Sequence, residues 1–248
     1  MNDEQLLRYS RQIMLPEMDV AGQQKLVDAS VLIVGMGGLG CPVAMYLAAA
    51  GVGHLIIGDD DTVELTNLQR QIAHSQANLG HSKVASVEET LKGLNPDVQI
   101  TSLNTRLLNE ELDQAVKQAD IVVDACDNFT TRFAINRSCI ANAKPLVSGA
   151  AIRMEGQVAV FDSRDADSPC YQCLYQEGQD DDASCAHNGV MAPLVGIIGS
   201  MQAMETIKVL TGIGTSLAGR LMLLDASAME WREMRLPRDP KCGACGTN

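Results

Sequence analysis

Gly35, Gly37, Gly38 and Gly40 lie in the run Gly35-Met-Gly-Gly-Leu-Gly40, between an apolar segment and a stretch rich in small residues. Glycines at this spacing let backbone N–H groups and the positive end of a helix come close to a phosphate. Asp59 closes the next apolar segment, within the acidic triplet that ends at Asp61, where a carboxylate can accept hydrogen bonds from ribose hydroxyls. This points to a nucleotide; the plainer alternative is a glycine turn that only packs helix on strand. NAD and ATP both remain open.

Asn67, Arg70 and Lys83 decide between the two nucleotides, because they add an amide and two cations soon after the ribose position. Hydride transfer needs no such cluster there. Attack on a phosphoryl group does, since the phosphate chain and the departing pyrophosphate must be neutralised by positioned donors. Taken singly, Arg70 and Lys83 would be exposed helix charges, the commoner fate of such residues. Asp127 and Asn128 follow a further strand at its carboxyl end, the ligand edge of an open α/β sheet. There Asp127 can hold Mg2+ between phosphates or simply cap a helix, and spacing alone does not choose.

Two CxxC pairs, Cys170 with Cys173 and Cys242 with Cys245, offer four thiolates for a tetrahedral Zn2+ site with no position left over. Such a site is structural and tethers the C-terminal tail to the middle of the chain. Two separate redox pairs are the weaker reading, because neither follows a strand in a thioredoxin-like context. Cys185 stands apart in a loop, as a nucleophile for an activated acyl group or as an exposed thiol. Cys41, Cys126 and Cys139 sit in apolar contexts and read as core. The four histidines show no ligand spacing and receive no chemistry.

The elements that must position these residues alternate. A helix is expected over residues 4–29 with Gly22 as its break, then a strand at 31–34, the glycine turn, a helix at 42–50 and a strand at 54–58. Helices near 82–94, 110–118 and 130–143 alternate with strands near 98–103, 121–124 and 146–148. The expected fold is therefore α/β and Rossmann-like, a mostly parallel sheet with helices on both faces. Strands at 157–161, 221–225 and 229–236 extend it in antiparallel fashion, and a buried helix covers 191–210. The acidic loop 177–182 is expected to be mobile. No repeat or linker divides residues 1–248, which read as one domain with a nucleotide-binding half to about residue 150 and a second half that bears the zinc site.

The composition agrees. With 46% hydrophobic residues the chain can bury a core, and a formal charge of −12 argues against a broad nucleic-acid or anionic-membrane surface. Any phosphate must then be held by a few placed cations. The start of the chain lacks the apolar stretch of a secretory signal, and the two long uncharged stretches are broken by glycine or proline, so a cytosolic protein with reduced cysteines is expected.

Several motifs carry a resemblance across nearly the whole chain. RYSRQI at 8–13, VGMGGLG at 34–40, GDDDTVELTNLQRQ at 58–71, Lys83, DACDN at 124–128, SGAAIRMEGQ at 148–157 and the two CxxC pairs keep the order found in the MoeB/ThiF/HesA family, bacterial relatives of ubiquitin-activating enzymes. Residues 191–208 and the RMEGQ stretch look closer to the MoeB branch. The RYSRQI start and the acidic triplet look more like the ThiF branch. The resemblance implies a homodimeric adenylyltransferase that binds ATP and Mg2+ over the glycine turn and receives the Gly-Gly tail of a ubiquitin-like sulfur carrier. The carrier's carboxylate attacks the α-phosphate. By the same resemblance Gly38 and Asp59 hold the nucleotide, Asn67, Arg70 and Lys83 contact phosphates, Asp127 binds Mg2+, and Arg11 reaches the phosphates of the neighbouring subunit. Residues 151–248 would bind the carrier.

The carrier can be MoaD-like, serving molybdopterin synthesis, or ThiS-like, serving thiamine synthesis, and sulfur would come from a separate donor. In ThiF-like members a cysteine matching Cys185 can join the activated carrier. Two rivals come from other classes. An NAD-dependent oxidoreductase explains the glycine turn and Asp59 but leaves Asn67, Arg70, Lys83 and the cysteine pairs without purpose. A noncatalytic binder of a ubiquitin-like protein has no need of the phosphate contacts.

Overall fold

Residues 31–34 carry only apolar side chains, so β1 (Ser30–Val34) must be covered on both faces. In the computed structural model, which describes residues 1–177 and 189–246, that is its position. Val31 and Ile33 enter one apolar layer with α3 (Asp19–Asp28), α4 (Gly40–Ala50), α5 (Lys83–Leu94) and α9 (Ala192–Thr211). Leu32 and Val34 enter the opposite layer with α6 (Asn109–Gln118), α7 (Phe129–Ala141) and the short α8 (Tyr171–Leu174). Each wholly buried leucine or isoleucine of this strand contributes about 2 kcal/mol through burial.

One eight-stranded sheet runs between the layers, in the order β3-β2-β1-β4-β5-β6-β7-β8. Strands β2 (His54–Gly58), β3 (Gln99–Leu103), β4 (Ile121–Asp124) and β5 (Pro145–Ile152) are parallel to β1. The chain winds outward from β1 to β3 on one side, then crosses back to place β4 on the other. Adjacent loops therefore leave the carboxyl ends of β1 and β4 in opposite directions and open a crevice there. Strands β6 (Glu155–Asp162), β7 (Arg220–Asp225) and β8 (Glu230–Arg235) continue the sheet antiparallel.

The fold is thus the α/β, mostly parallel arrangement expected, with helices on both faces and an antiparallel extension. The N-terminal segment differs. Instead of one helix broken at Gly22, the chain forms α1 (Asp3–Arg8), α2 (Ser10–Ile13) and α3, and Gly22 sits inside α3 against Met18. The interruption comes at buried Tyr9 and again around Pro16, which lacks an N–H and disfavours a helical conformation in the residue before it. Among the described residues no helix is long and apolar enough to cross a membrane.

Candidate active site

The glycine turn begins where β1 ends, and two of its glycines have steric reasons to lack a side chain. Gly35 has φ +96° and lies against the backbone of Ala125, which follows β4. A Cβ on Gly40 would stand 1.8 Å from the Gly35 carbonyl oxygen, so only glycine lets α4 start this close to the strand. Gly37 is open apart from Gln71, and Gly38 rests on Val195 of α9. Among the described residues neither the Gly37 N–H nor the Gly38 N–H has an acceptor, which leaves two donors at the helix entry for an anion.

Asp59 is tied to this turn. Its Oδ2 accepts from the Met36 N–H at 2.6 Å and its Oδ1 from the Asp61 N–H at 2.9 Å. Burial raises its pKa above the usual carboxylate value, against Lys83 and the two amides, which lower it. Lys83, the first residue of α5, is buried and reaches Asp61 with its Nζ 2.8 Å from Oδ2, and its own N–H donates to the Asp61 carbonyl. An ammonium is thus delivered onto Asp61 and near the Asp59 carboxylate.

The segment after β2 folds back as a 3-10 turn, Leu65–Asn67. Asn67 spends its side chain on this turn, accepting from the Glu64 N–H, and Arg70 donates to the Thr66 carbonyl at 3.1 Å. Buried Gln71 then sets its amide against Gly37, which brings the Asn67–Arg70 turn to the glycine turn.

The loop after β4 supplies the other wall. Asn128 is the residue that caps α7, through its Oδ1 and the Thr131 N–H at 2.9 Å, which frees Asp127 from the capping role weighed for it. Exposed Asp127 makes no hydrogen bond or ion pair among the described residues. A buried cluster holds this loop: Asp124 accepts from Ser148 Oγ at 2.8 Å and from the Cys126 N–H at 3.1 Å, and Arg132 donates to the carbonyls of Cys126 and Gly149. Burial opposes the charge on Arg132, but the groups around it, Asp124 foremost, together outweigh burial and hold the guanidinium protonated. Gln202 of α9 donates to the Asp124 carbonyl at 2.7 Å. Burial, then Asp124, push the Cys126 thiol well up, so it is core rather than nucleophile, and Cys41 is likewise raised to about 12 by burial.

Two groups of predicted residues lie elsewhere. Arg11 is exposed on α2, beside the far end of α4: its neighbour Gln12 donates to the Ala50 carbonyl at 2.9 Å. That end is about 15 Å along the helix from Gly40. The four cysteines converge after β6 and near the C-terminus, with Sγ separations of 3.9 Å for Cys170–Cys173, 3.6 Å for Cys170–Cys242 and 3.5 Å for Cys173–Cys245. A tetrahedron of thiolates around zinc has edges of about 3.8 Å, so the set fits that ion. The N–H groups of Cys170 and Asp239 point at Cys173 Sγ, as donors to a ligating thiolate do. Cys185, His187 and most of the acidic loop lie outside the described residues.

Sequence reasoning passed over Gln71, His74, Ser86, Arg132, Ser148 and Gln202, all buried. The distance of Arg132 from Asn128, one helical turn, is a signal that was present for it. The others meet only through the tertiary fold.

A glycine turn, a carboxylate tied to it and placed cations at the switch point of a parallel sheet have the form of a nucleotide site in an α/β protein. The ThiF family matches residues 9–244, and the chain belongs to that family. It is 48% identical over 246 residues to molybdopterin-synthase adenylyltransferase of Escherichia coli strain K12, covering 99% of this chain and 98% of that one. It is 45% identical to sulfur carrier protein ThiS adenylyltransferase of the same strain, over 99% and 97% of the two chains. An adenylyltransferase and sulfurtransferase of Anopheles gambiae is 44% identical, with 99% of this chain aligned to 56% of that longer one. Among solved structures, E. coli MccB with ATP superposes with a TM-score of 0.83 at 23% identity, over 96% of this chain and 73% of that one, a likeness of fold.

Proposed function

We propose that this protein uses ATP to adenylate the C-terminal carboxylate of a small ubiquitin-like sulfur carrier. The observation that carries the reading is the meeting of the Gly37 and Gly38 amides, which have no acceptor among the described residues, with the Asp59 carboxylate and the buried Lys83 ammonium at one sheet edge. The adenylyltransferases to which the chain is nearly half identical over their full length support it.

In this reading Asp59 takes the ribose hydroxyls, and the backbone from Gly35 to Gly40 receives the phosphates. Asn67, Arg70 and Lys83 turn from their present partners to the phosphate chain. Asp127, with Asn128 beside it, would hold Mg2+, which supplies further neutralisation of the triphosphate. A carboxylate oxygen of the carrier attacks the α-phosphorus, the bond to the β-phosphate oxygen breaks, and pyrophosphate leaves. The nucleophile arrives ionised, so no base is required; the protein contributes alignment and charge stabilisation. Cys170, Cys173, Cys242 and Cys245 would hold Zn2+ as a structural tether, outside the reaction.

A MoaD-like carrier, activated for thiocarboxylate formation on the way to molybdopterin, is the principal assignment, and a ThiS-like carrier is the second, favoured by the 45% identity to the ThiS enzyme. Sulfur is assigned to a separate donor, and the reaction to the cytosol, where thiols stay reduced. Incubating the protein with MgATP and each Gly-Gly-ending carrier tests this directly. Mass spectrometry should show the carrier heavier by one AMP moiety, and absence of the adduct with every such carrier contradicts it.

The position of Arg11, at the wrong end of α4 for its own glycine turn, supports action on a neighbouring subunit in a homodimer. Exposed Tyr46 on α4 and Met204 on α9, two helices packed against each other, together with exposed Met14 and Leu15 in the turn after α2, are apolar surface such a partner would cover. Mixing Arg11→Ala with Lys83→Ala protein should restore part of the activity that each lacks alone. No recovery after subunit exchange would refute the shared site.

A further inference from the structure

We propose that His74 is a positioning residue for this site, aiming the Gly37 N–H at the nucleotide by fixing the Met36 carbonyl; the inference rests on the nucleotide reading above. Met36 is completely buried between Gly35 and Gly37 and is gripped at both ends of its backbone. Its N–H donates to Asp59 at 2.6 Å, and its carbonyl faces His74 Nε2 at 3.0 Å and receives Cys41 Sγ at 3.4 Å. A carbonyl can only accept, so His74 carries its proton on Nε2. Its Nδ1 must then accept from the Ser86 hydroxyl, 2.9 Å away on α5.

His74 and Ser86 are both more than nine-tenths buried, so water does not compete for these bonds. Burial lowers the proton affinity of His74, and Lys83 acts in the same direction, which keeps the ring neutral and this tautomer in place. The Met36 carbonyl and the Gly37 N–H belong to one planar trans peptide, so they point in opposite directions. Holding the carbonyl down onto the imidazole turns the Gly37 N–H outward, where it has no protein acceptor among the described residues. The same device ties the glycine turn to α5, the helix that delivers Lys83. His74 acts from behind the turn, buried, with both ring nitrogens engaged by Met36 and Ser86.

The proposal is tested with His74→Phe, which keeps a ring without a donor, and His74→Gln, whose amide can still donate to Met36. In carrier-dependent exchange His74→Phe should raise the KM for ATP about tenfold, with a smaller change in kcat, and His74→Gln should recover most of the loss. An unchanged KM in folded His74→Phe, or His74→Gln as impaired as His74→Phe, overturns it. Should His74→Phe fail to fold, nitrogen-15 histidine spectra of the unaltered protein decide: an Nε2-protonated His74 is expected, and an Nδ1-protonated or charged ring at neutral pH contradicts the assignment. Absence of exchange in the unaltered protein would count against the adenylation reading instead, whereas these spectra speak to His74 alone.

Discussion

Lys83 and Asp61 form an ion pair of 2.8 Å in which the cation is buried and the carboxylate is two-thirds exposed. Helix α5 presses the ammonium against an anion that solvent already satisfies, and a phosphate can take that anion's place. Replacing Lys83 with Met should therefore cost about 1 kcal/mol or less in stability. Carrier-dependent ATP–pyrophosphate exchange should fall by at least about a hundredfold in the same variant, because the lost donor faces developing charge. Thermal melting and exchange measured side by side check this, and a variant that loses both together would make Lys83 a structural residue.

The glycines of the turn should separate by function. Gly40→Ala drives a methyl into the Gly35 carbonyl, and the overlap should cost on the order of 3 kcal/mol. Gly37→Ala meets only Gln71 at 3.5 Å, so the fold should persist with a nearly unchanged melting temperature. Its methyl nonetheless stands where the backbone must approach a phosphate, and the ATP-induced rise in melting temperature should shrink or vanish. A Gly37→Ala protein stabilised by ATP as well as the unaltered one would contradict this assignment.

Asp59 sets a pH dependence. In its proposed role it accepts ribose hydroxyls best as a carboxylate, and burial holds its pKa above the ordinary 3.8. Affinity for ATP is then full above the raised pKa and is lost as pH falls through it, earlier than an exposed aspartate would impose. The pH profile of kcat/KM for ATP should show an acidic limb with its midpoint above 3.8, absent from Asp59→Asn. Stability runs the other way: the folded form binds this proton more tightly than the unfolded chain, so Asp59 costs stability above its pKa and that cost is relieved in acid. A limb that survives in Asp59→Asn belongs to another group.

The cysteine tetrad should bind one zinc per chain, measurable by elemental analysis. Cys173→Ser or strong chelation should remove it and lower the melting temperature by about 5 °C or more, as expected when a closed site tethers the tail. Exchange in the chelated protein, assayed with Mg2+ restored, should persist at temperatures where the fold holds. Equal melting with and without zinc would remove the tether.

Much of this site is legible in the sequence because local rules carry it. The glycine run after an apolar strand, Asp59 at the end of the next strand and the paired cysteines each bind a short stretch of chain to one geometry. Spacing could not tell whether Asp127 caps a helix or is left for Mg2+, and only the Asn128 bond to Thr131 takes the cap away from Asp127. Tyr9 and Pro16 broke a helix that the periodicity of residues 4–29 ran through: the break at Tyr9 depends on its burial in the fold, whereas the one at Pro16 is a local signal that the periodicity overrode. His74 was invisible: its partners Met36 and Ser86 are 38 and 12 residues away, and no pattern along the chain joins a buried imidazole to a carbonyl and a hydroxyl on other elements.

The most direct measurement is isotope exchange between pyrophosphate and ATP, with and without a Gly-Gly-ending carrier. Label should enter ATP only when Mg2+ and a carrier with its terminal carboxylate intact are present, and a carrier shortened by its last glycine should not support it. Exchange that proceeds without any carrier, or that fails with all of them while the protein remains folded and binds ATP, would contradict the account.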